Sequence, residues 1–362
     1  MLRSPLLACR CRDAVGPGPI ARVSSGLARR FLRDSTCVLD TRTYAKAHAT
    51  GAETNGMNGE DAIHAGCASA HVCRDFSALS CFLDAAFGGA GGIVHEFPVL
   101  TQDDNHSRCF VVESAGQIAA HAAWAPLVLR CGGRELPAAG IGLVATGRAH
   151  RGCGLASQLV AHCIAQGTAQ GAEVALLFGE STPLYARLGF TRAGRERITR
   201  LDPDPERSDK RLSVGGPGDA ARIHPLLMAH PVGVLRDVAR FERLLAIPHT
   251  HLYLLEGSQG PLAYCVEGKG RDLRGVIHEW GGAPAHVEAL LHAVTAGLTQ
   301  PLFVLSPECL PAPADGVSTL GAVAQLRVLR PDRLGTDDPR ELFGDEQRPG
   351  RLPFYVWGLD SI

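Results

Sequence analysis

The stretch Val144-Ala-Thr-Gly-Arg-Ala-His-Arg-Gly-Cys-Gly-Leu-Ala-Ser157 decides how this chain is read. The apolar run from Leu136 to Thr146 reads as a strand, a glycine-rich turn follows, and Leu155 to Gln170 reads as a helix. The first N–H groups of a helix have no partner within it, and the helix dipole adds positive potential at that end. Gly152 and Gly154 let an anion come close to the main chain, and Arg151 adds a fixed positive charge. The loop therefore reads as an anion cradle suited to a pyrophosphate. It has neither the Gly-Lys-Ser/Thr ending of a P-loop nor Gly-x-Gly-x-x-Gly, so nucleotide hydrolysis and a Rossmann dinucleotide site are both disfavoured.

Upstream of the loop, Phe76 to Phe87 places Leu79, Phe82, Leu83 and Phe87 on one helical face. Arg108 to Glu113 and Gln117 to Leu129 read as the strands of a hairpin reversed at Ser114-Ala-Gly116, with Cys131-Gly-Gly-Arg134 as the next turn. Downstream, Ala172 to Phe178 is a buried strand. Thr182 to Leu188 is a short helix closed by Gly189, and Phe190 to about Leu201 is a further strand. This order predicts a mixed α/β layer with a strand–loop–helix crossover at its centre.

The charged, proline-rich segment 202–210 reads as a linker. Beyond it the pattern repeats. Tyr253 to Ala263 matches Phe110 to Ala120 as strand, acidic residue, small-residue turn and strand. Arg274 to Trp280, a helix from Ala285 to Ala296 and a strand from Pro301 to Leu305 follow. The same order twice points to gene duplication. Only Gly281-Gly-Ala-Pro284 stands where the first copy has its loop, so a ligand site lost in one half is lost here. The expected organisation is an N-terminal extension at 1–66, a first domain at 67–201, a linker at 202–210 and a second domain at 211–362.

A chain of 362 residues is long for one core and suits two. With a net charge of -1 there is no electrostatic reason to expect nucleic acid or an anionic membrane as a partner. No apolar run reaches the length of a membrane span. The 12 cysteines are scattered without zinc spacing, so no metal is expected. Cys81, Cys109, Cys163 and Cys265 sit in apolar segments that suit small buried thiols, and a reducing cytoplasm is the simplest setting. Residues 1–33 carry seven arginines against the single acid Asp13. This stretch reads as an unstructured extension or over-extended start, with a transit peptide as the alternative.

The segment from about Ala68 to Leu201 resembles the GNAT superfamily of N-acetyltransferases, and the whole chain resembles its tandem type with a degenerate second half. Arg151, Gly154 and Ala156 match the signature Arg/Gln-x-x-Gly-x-Gly/Ala. Leu159, Val160 and Cys163 continue an apolar helix face, and Leu184-Tyr-Ala-Arg-Leu-Gly-Phe190 matches the later aromatic and Gly-Phe segment. Two departures stand out: Arg148 replaces a frequent proline, and Leu136 to Thr146 contains no Glu to serve as base.

The resemblance implies an α/β GNAT fold and an N-acetyltransferase that uses acetyl-CoA as acyl donor. The main chain of Val144, Ala145 and Thr146 would bond the pantetheine arm like an added strand. Arg151, Gly152, Cys153, Gly154, Leu155 and Ala156 would hold the pyrophosphate. An amine would attack the thioester directly in a ternary complex, supplied by a small molecule or by a protein lysine or N-terminus. Tyr185 stands at the family's usual position for the acid that protonates the departing thiolate. Glu180 is a candidate base; a solvated strand-end Glu with a water relay in its place is the alternative. His121 and Trp124 are candidates to line the acceptor pocket. Neighbours in a strand face opposite ways, so His278 and Glu279 are not read as an acid–base pair. A non-catalytic acyl-CoA sensor or interaction module of the same fold is the competing reading.

Overall fold

The computed structural model of the chain describes residues 69–88, 92–179 and 183–362. The N-terminal extension read at 1–66 and the candidate base Glu180 lie outside the described residues.

The first half opens with a short strand β1 (His71–Val72) and helix α1 (Phe76–Ala86). The Asp75 side chain caps α1 by accepting from the Ala78 N–H at 2.9 Å. Leu79 and Leu83 are fully buried, and Phe82 and Phe87 pack against the same core, as the helical spacing requires. Next come β2 (Cys109–Ser114), β3 (Gln117–Cys131) and β4 (Arg134–Thr146), an antiparallel meander. After the glycine loop, helix α2 (Leu155–Ala169) leads to β5 (Val174–Leu177), which runs parallel to β4. The short helix α3 (Pro183–Arg187) and β6 (Thr191–Ala193) complete this half.

The segment expected as one strand from Phe190 to Leu201 is broken. Gly194, at φ +81°, turns the chain after β6, and the residues beyond it form β7 (Glu196–Leu201) in a different sheet. There β7 pairs with β13 (Leu302–Pro307) and β14 (Val317–Gly321). In exchange, β15 (Ala324–Val328) crosses back and inserts between β5 and β6. Segment 202–210 therefore joins two strands of the second sheet, β7 and β8 (Leu212–Gly215), and the passage between sheets falls earlier, at Gly194 and Arg195.

The rest of the second half comprises helix α4 (Ala220–Met228), β9 (Val232–Val234), helix α5 (Val238–Leu245), β10 (His251–Gly257), β11 (Gly260–Lys269), β12 (Asp272–Gly282) and helix α6 (Pro284–Ala296). β9 extends the first sheet by pairing with the far end of β3. In the second sheet β10, β11 and β12 form an antiparallel meander, and β12 runs parallel to β13. That is the same local plan as β2 to β5.

The last residues are fixed by buried charge. Arg236 pairs with Glu279 and, at 3.4 Å, with Asp360, and all three side chains are fully buried. Tyr264 donates to Glu279 at 3.1 Å. Lys269 donates to the Gly358 carbonyl at 3.2 Å and to the Ser361 hydroxyl at 3.0 Å. Burial lowers the pKa of Lys269 to about 8. Cys109, Cys163 and Cys265 are fully buried, as expected, whereas Cys81 is exposed because it turns outward on α1. Among the described residues no helix is long and apolar enough to cross a membrane, and no cluster of three His, Cys, Asp or Glu side chains could hold a metal ion.

Candidate functional site

β4 and β5 pair only at Ala138–Val174, Ala139–Ala175 and Gly140–Leu176. Beyond Gly140, β4 continues to Thr146 against β3 alone, while β5 ends at Leu177. On its β5 side, the main-chain edge from Ile141 to Thr146 has no ladder partner among the described strands. This splay contains the expected pantetheine contacts Val144, Ala145 and Thr146.

The splay is built around a bulge. Leu143 and Val144 occupy the space opposite Ala122 alone, and Leu143 takes φ +51°, a conformation leucine rarely adopts. The Leu143 carbonyl accepts from Nδ1–H of His121 at 2.8 Å. That bond places the proton on Nδ1, and burial lowers the His121 pKa to about 4, so the ring is neutral. His121 is thus a fully buried prop for the bulge rather than a wall of an acceptor pocket. Trp124 is buried too, in the core shared with α2, with the Arg108 guanidinium 5.4 Å from its ring centre. Neither residue can line an open pocket.

At the wide end of the splay the loop and helix stand as the sequence foretold. Gly152 (φ +83°) and Gly154 (φ +79°) both adopt the left-handed conformation, and the space a side chain would occupy at either one is open. Gly154 is the N-cap of α2 and has no side chain to occupy the first-turn N–H groups. Arg151, Gly152, Cys153 and Gly154 are exposed, and Leu155 and Ala156 begin the helix half-buried. A pyrophosphate could therefore reach the main-chain donors without displacing anything. The exposed Cys153 thiol lies 4.0 Å from the Arg151 carbonyl.

Tyr185 packs at the end of β5. Its ring stands edge-on to Phe190 with centroids 6.2 Å apart, and its Cε2 lies 3.5 Å from where a side chain on Gly179 would begin. Burial raises the phenol pKa, so the hydroxyl holds its proton at neutral pH. It is available as a proton donor and not as a base.

Two glycines not singled out in the sequence shape the opposite face of β4. A Cβ on Gly142 would meet Leu100 at 2.7 Å and the main-chain carbonyl carbon of Ile362 at 2.8 Å, and one on Gly140 would collide with the Ile362 side chain. Glycine at both positions lets residue 362 lie directly on the strand. Nothing local in the sequence signals this contact, because the partners are more than 200 residues apart.

Residues 81–193 match the acetyltransferase (GNAT) domain. The fold agrees. A GCN5-related N-acetyltransferase from Kribbella flavida superposes with a TM-score of 0.55 at 19% identity, over 72% of this chain and 71% of that one. One from Anabaena variabilis gives 0.56 at 18% identity, over 72% of each chain. Eis1 from Mycobacterium abscessus gives 0.50 at 17% identity, over 72% and 73%. No curated protein sequence matches the chain significantly. The chain thus has a mixed α/β GNAT fold, and its GNAT domain contains both the splay and the loop.

In the second half the equivalent splay is occupied. β12 and β13 pair only at Val276–Phe303 and Ile277–Val304. Trp280, three residues past the last pair as Leu143 is past Gly140, donates its indole N–H to the Leu305 carbonyl at 3.1 Å. The helix α6 begins two residues after Gly282 with Pro284, so there is no loop before it. His278 and Glu279 are both fully buried, His278 donating from Nε2 to the Gly268 carbonyl at 2.9 Å and Glu279 held by Arg236. They do not form an acid–base pair.

Proposed function

We propose that this protein is an N-acyltransferase that moves an acetyl or other short acyl group from acyl-CoA to an amine, using the first half alone for the donor. The observation that carries this reading is the splay: a strand edge from Ile141 to Thr146 without a ladder partner on its β5 side among the described strands, ending at a helix N-terminus with two open glycines. An extended pantetheine arm can complete that edge as a strand would, and the pyrophosphate can then lie on the N–H groups of residues 152–156 beside Arg151. Val144, Ala145 and Thr146 are the main-chain partners in this reading.

The amine lone pair attacks the thioester carbonyl carbon, the C–S bond breaks, and the thiolate takes a proton from Tyr185 Oη. The proton shed by the new ammonium leaves through Glu180 or through water. Holding amine and thioester together removes much of the entropic barrier, so no acyl-enzyme is required. The second half, with Trp280 in its splay, acts in support. The acceptor is an amine on a small molecule or on a protein, and the setting is the cytoplasm.

Calorimetric titration with acetyl-CoA, followed by a thiol-release assay with a panel of amines, tests the reading. Binding plus amine-dependent thiol release is expected. Binding without release from any amine would favour an acyl-CoA sensor, and absence of binding would remove the assignment altogether.

A further inference from the structure

A cavity of about 110 Å³ opens between α5, the segment 98–108 and β3. Ala125 and Pro126 form its floor. Ala125 pairs with Gly140, the last β4 residue bonded to β5, and Ala123 pairs with Gly142. The side chain of Ala125 belongs to the core on the face of the sheet opposite α2. The cavity therefore adjoins the root of the splay, on the face away from the α2 N-terminus. Two strand residues, Ala123 and Trp124, lie between its floor at Ala125 and the bulge opposite Ala122, a separation of about 10 Å.

Its walls carry three guanidinium groups, Arg108, Arg240 and Arg243, against the single carboxylate of Asp104. Arg108 bonds the Asp104 carbonyl at 3.3 Å and the Asn105 side chain at 3.4 Å, and its Nε is buried with no partner. Arg240 reaches the buried Asp360 at 3.5 Å, and its Nε too is buried with no partner. Arg243, one helical turn along α5, is exposed. Of the nearby acids, Asp360 is already shared between Arg236 and Arg240, and Asp103 faces His106 at 3.5 Å. The cavity wall is left with an excess of positive charge, three arginines against one free carboxylate. A wall of this kind repels a polycationic amine and suits a planar anion, which guanidinium groups bind through paired hydrogen bonds. The volume admits a few water-sized groups, enough for a carboxylate.

Building on the acyl-transfer reading, we infer that this cavity is the acceptor's carboxylate subsite, so that the acceptor is an amino acid or a molecule carrying a carboxylate a few bonds from its amine.

Two measurements test this, the first independent of turnover. Saturation-transfer NMR is recorded on a panel of N-acetyl amino acids and on the corresponding N-acetyl amino amides, with the wild-type protein and with Arg243→Gln. The acids are expected to give signals that the amides do not, and Arg243→Gln should abolish them. Equal signals from acids and amides, no signal from any acid, or acid signals that survive the substitution would overturn the subsite. The second measurement compares free amino acids with their amides as acceptors by thiol release. The acids should have a KM lower by about tenfold or more, the scale of one charge-assisted hydrogen bond, and Arg243→Gln should erase that advantage. Thiol release with the amides equal to or better than the acids would also overturn the subsite while leaving acyl transfer intact. Acid binding in the NMR experiment with no thiol release from any amine would retain the subsite and remove the acyl-transfer reading instead. A thermal melt of Arg243→Gln confirms that the variant is folded.

Discussion

The indole N–H of Trp280 donates to the carbonyl oxygen of Leu305 at 3.1 Å, across the place where β12 and β13 part. The corresponding gap between β4 and β5 has no such bridge from the bulged residue, because Leu143 has no donor in its side chain. One chain should therefore bind one acetyl-CoA. Calorimetry or equilibrium dialysis reads the stoichiometry directly, and two equivalents per chain would show that Trp280 does not block the second splay.

Gly154 is left-handed at φ +79° and caps α2 in open space. Gly154→Glu places a carboxylate where the pyrophosphate is expected, so acetyl-CoA binding should be lost. Strain in the left-handed conformation costs about 1 kcal/mol or somewhat more, which an exposed loop should tolerate without unfolding. Calorimetry alongside circular dichroism checks both halves of the statement. An unchanged affinity in a folded variant removes the loop from the donor site.

Tyr185→Phe keeps the ring against Phe190 and removes only the hydroxyl. Acetyl-CoA affinity should barely change, while kcat falls by roughly 10²-fold, the low end of general-acid contributions. Burial raises the phenol pKa, so the wild-type acid should remain protonated through the neutral range, and the rate should not fall from its ionisation there. A fall below about threefold, well under the general-acid range, returns Tyr185 to a packing role.

Glu196 accepts from the Tyr355 hydroxyl at 2.8 Å, and burial raises its pKa from 4.5 to about 7 despite that bond. In the folded protein the carboxyl keeps its proton up to about pH 7, whereas in the unfolded chain it ionises near 4.5. The folded state thus binds an extra proton between these values, and its stability declines as pH rises from about 4.5 to 7. Glu196→Gln keeps an acceptor for Tyr355 and should remove this part of the decline. Because the residue is still partly open to solvent, the gain at pH 7.5 is about 1–2 kcal/mol, or roughly 1–3 °C in Tm for a chain of this size. Melts of both proteins at pH 5 and pH 8 test it; parallel Tm changes would show that Glu196 ionises normally.

Asp360 is the buried acid between Arg236 and Arg240. Removing it in Asp360→Ala leaves Arg236 with Glu279 as its remaining carboxylate partner, and loss of one partner from a buried pair costs about 3–5 kcal/mol. Urea unfolding should show that loss. A change under about 1 kcal/mol would mean that water reaches the cluster.

The sequence by itself determined what is written in neighbouring residues. A strand followed by glycines and an apolar helix needs only local periodicity and the missing Cβ at Gly152 and Gly154, so the strand–loop–helix was legible, and both glycines are left-handed. The order from β2 to β5 and from β10 to β13 was legible for the same reason, and so was the missing loop after Trp280. Only the tertiary structure decided which strands pair. β7 and β15 change places between sheets because Thr199 can be buried against β13 and Leu326 against β5, contacts that join residues more than 100 positions apart and leave no periodic trace. The bulge at Leu143 depends on a hydrogen bond from His121 across the sheet, and no residue type announces a leucine at positive φ. The arginine-lined cavity is likewise a product of packing. Arg108 precedes β2 and Arg243 lies in the last turn of α5, and they line one cavity only in the folded chain. Local chemistry fixed the glycine loop and the helix after it; long-range burial fixed the strand exchange, the bulge and the arginine-lined cavity.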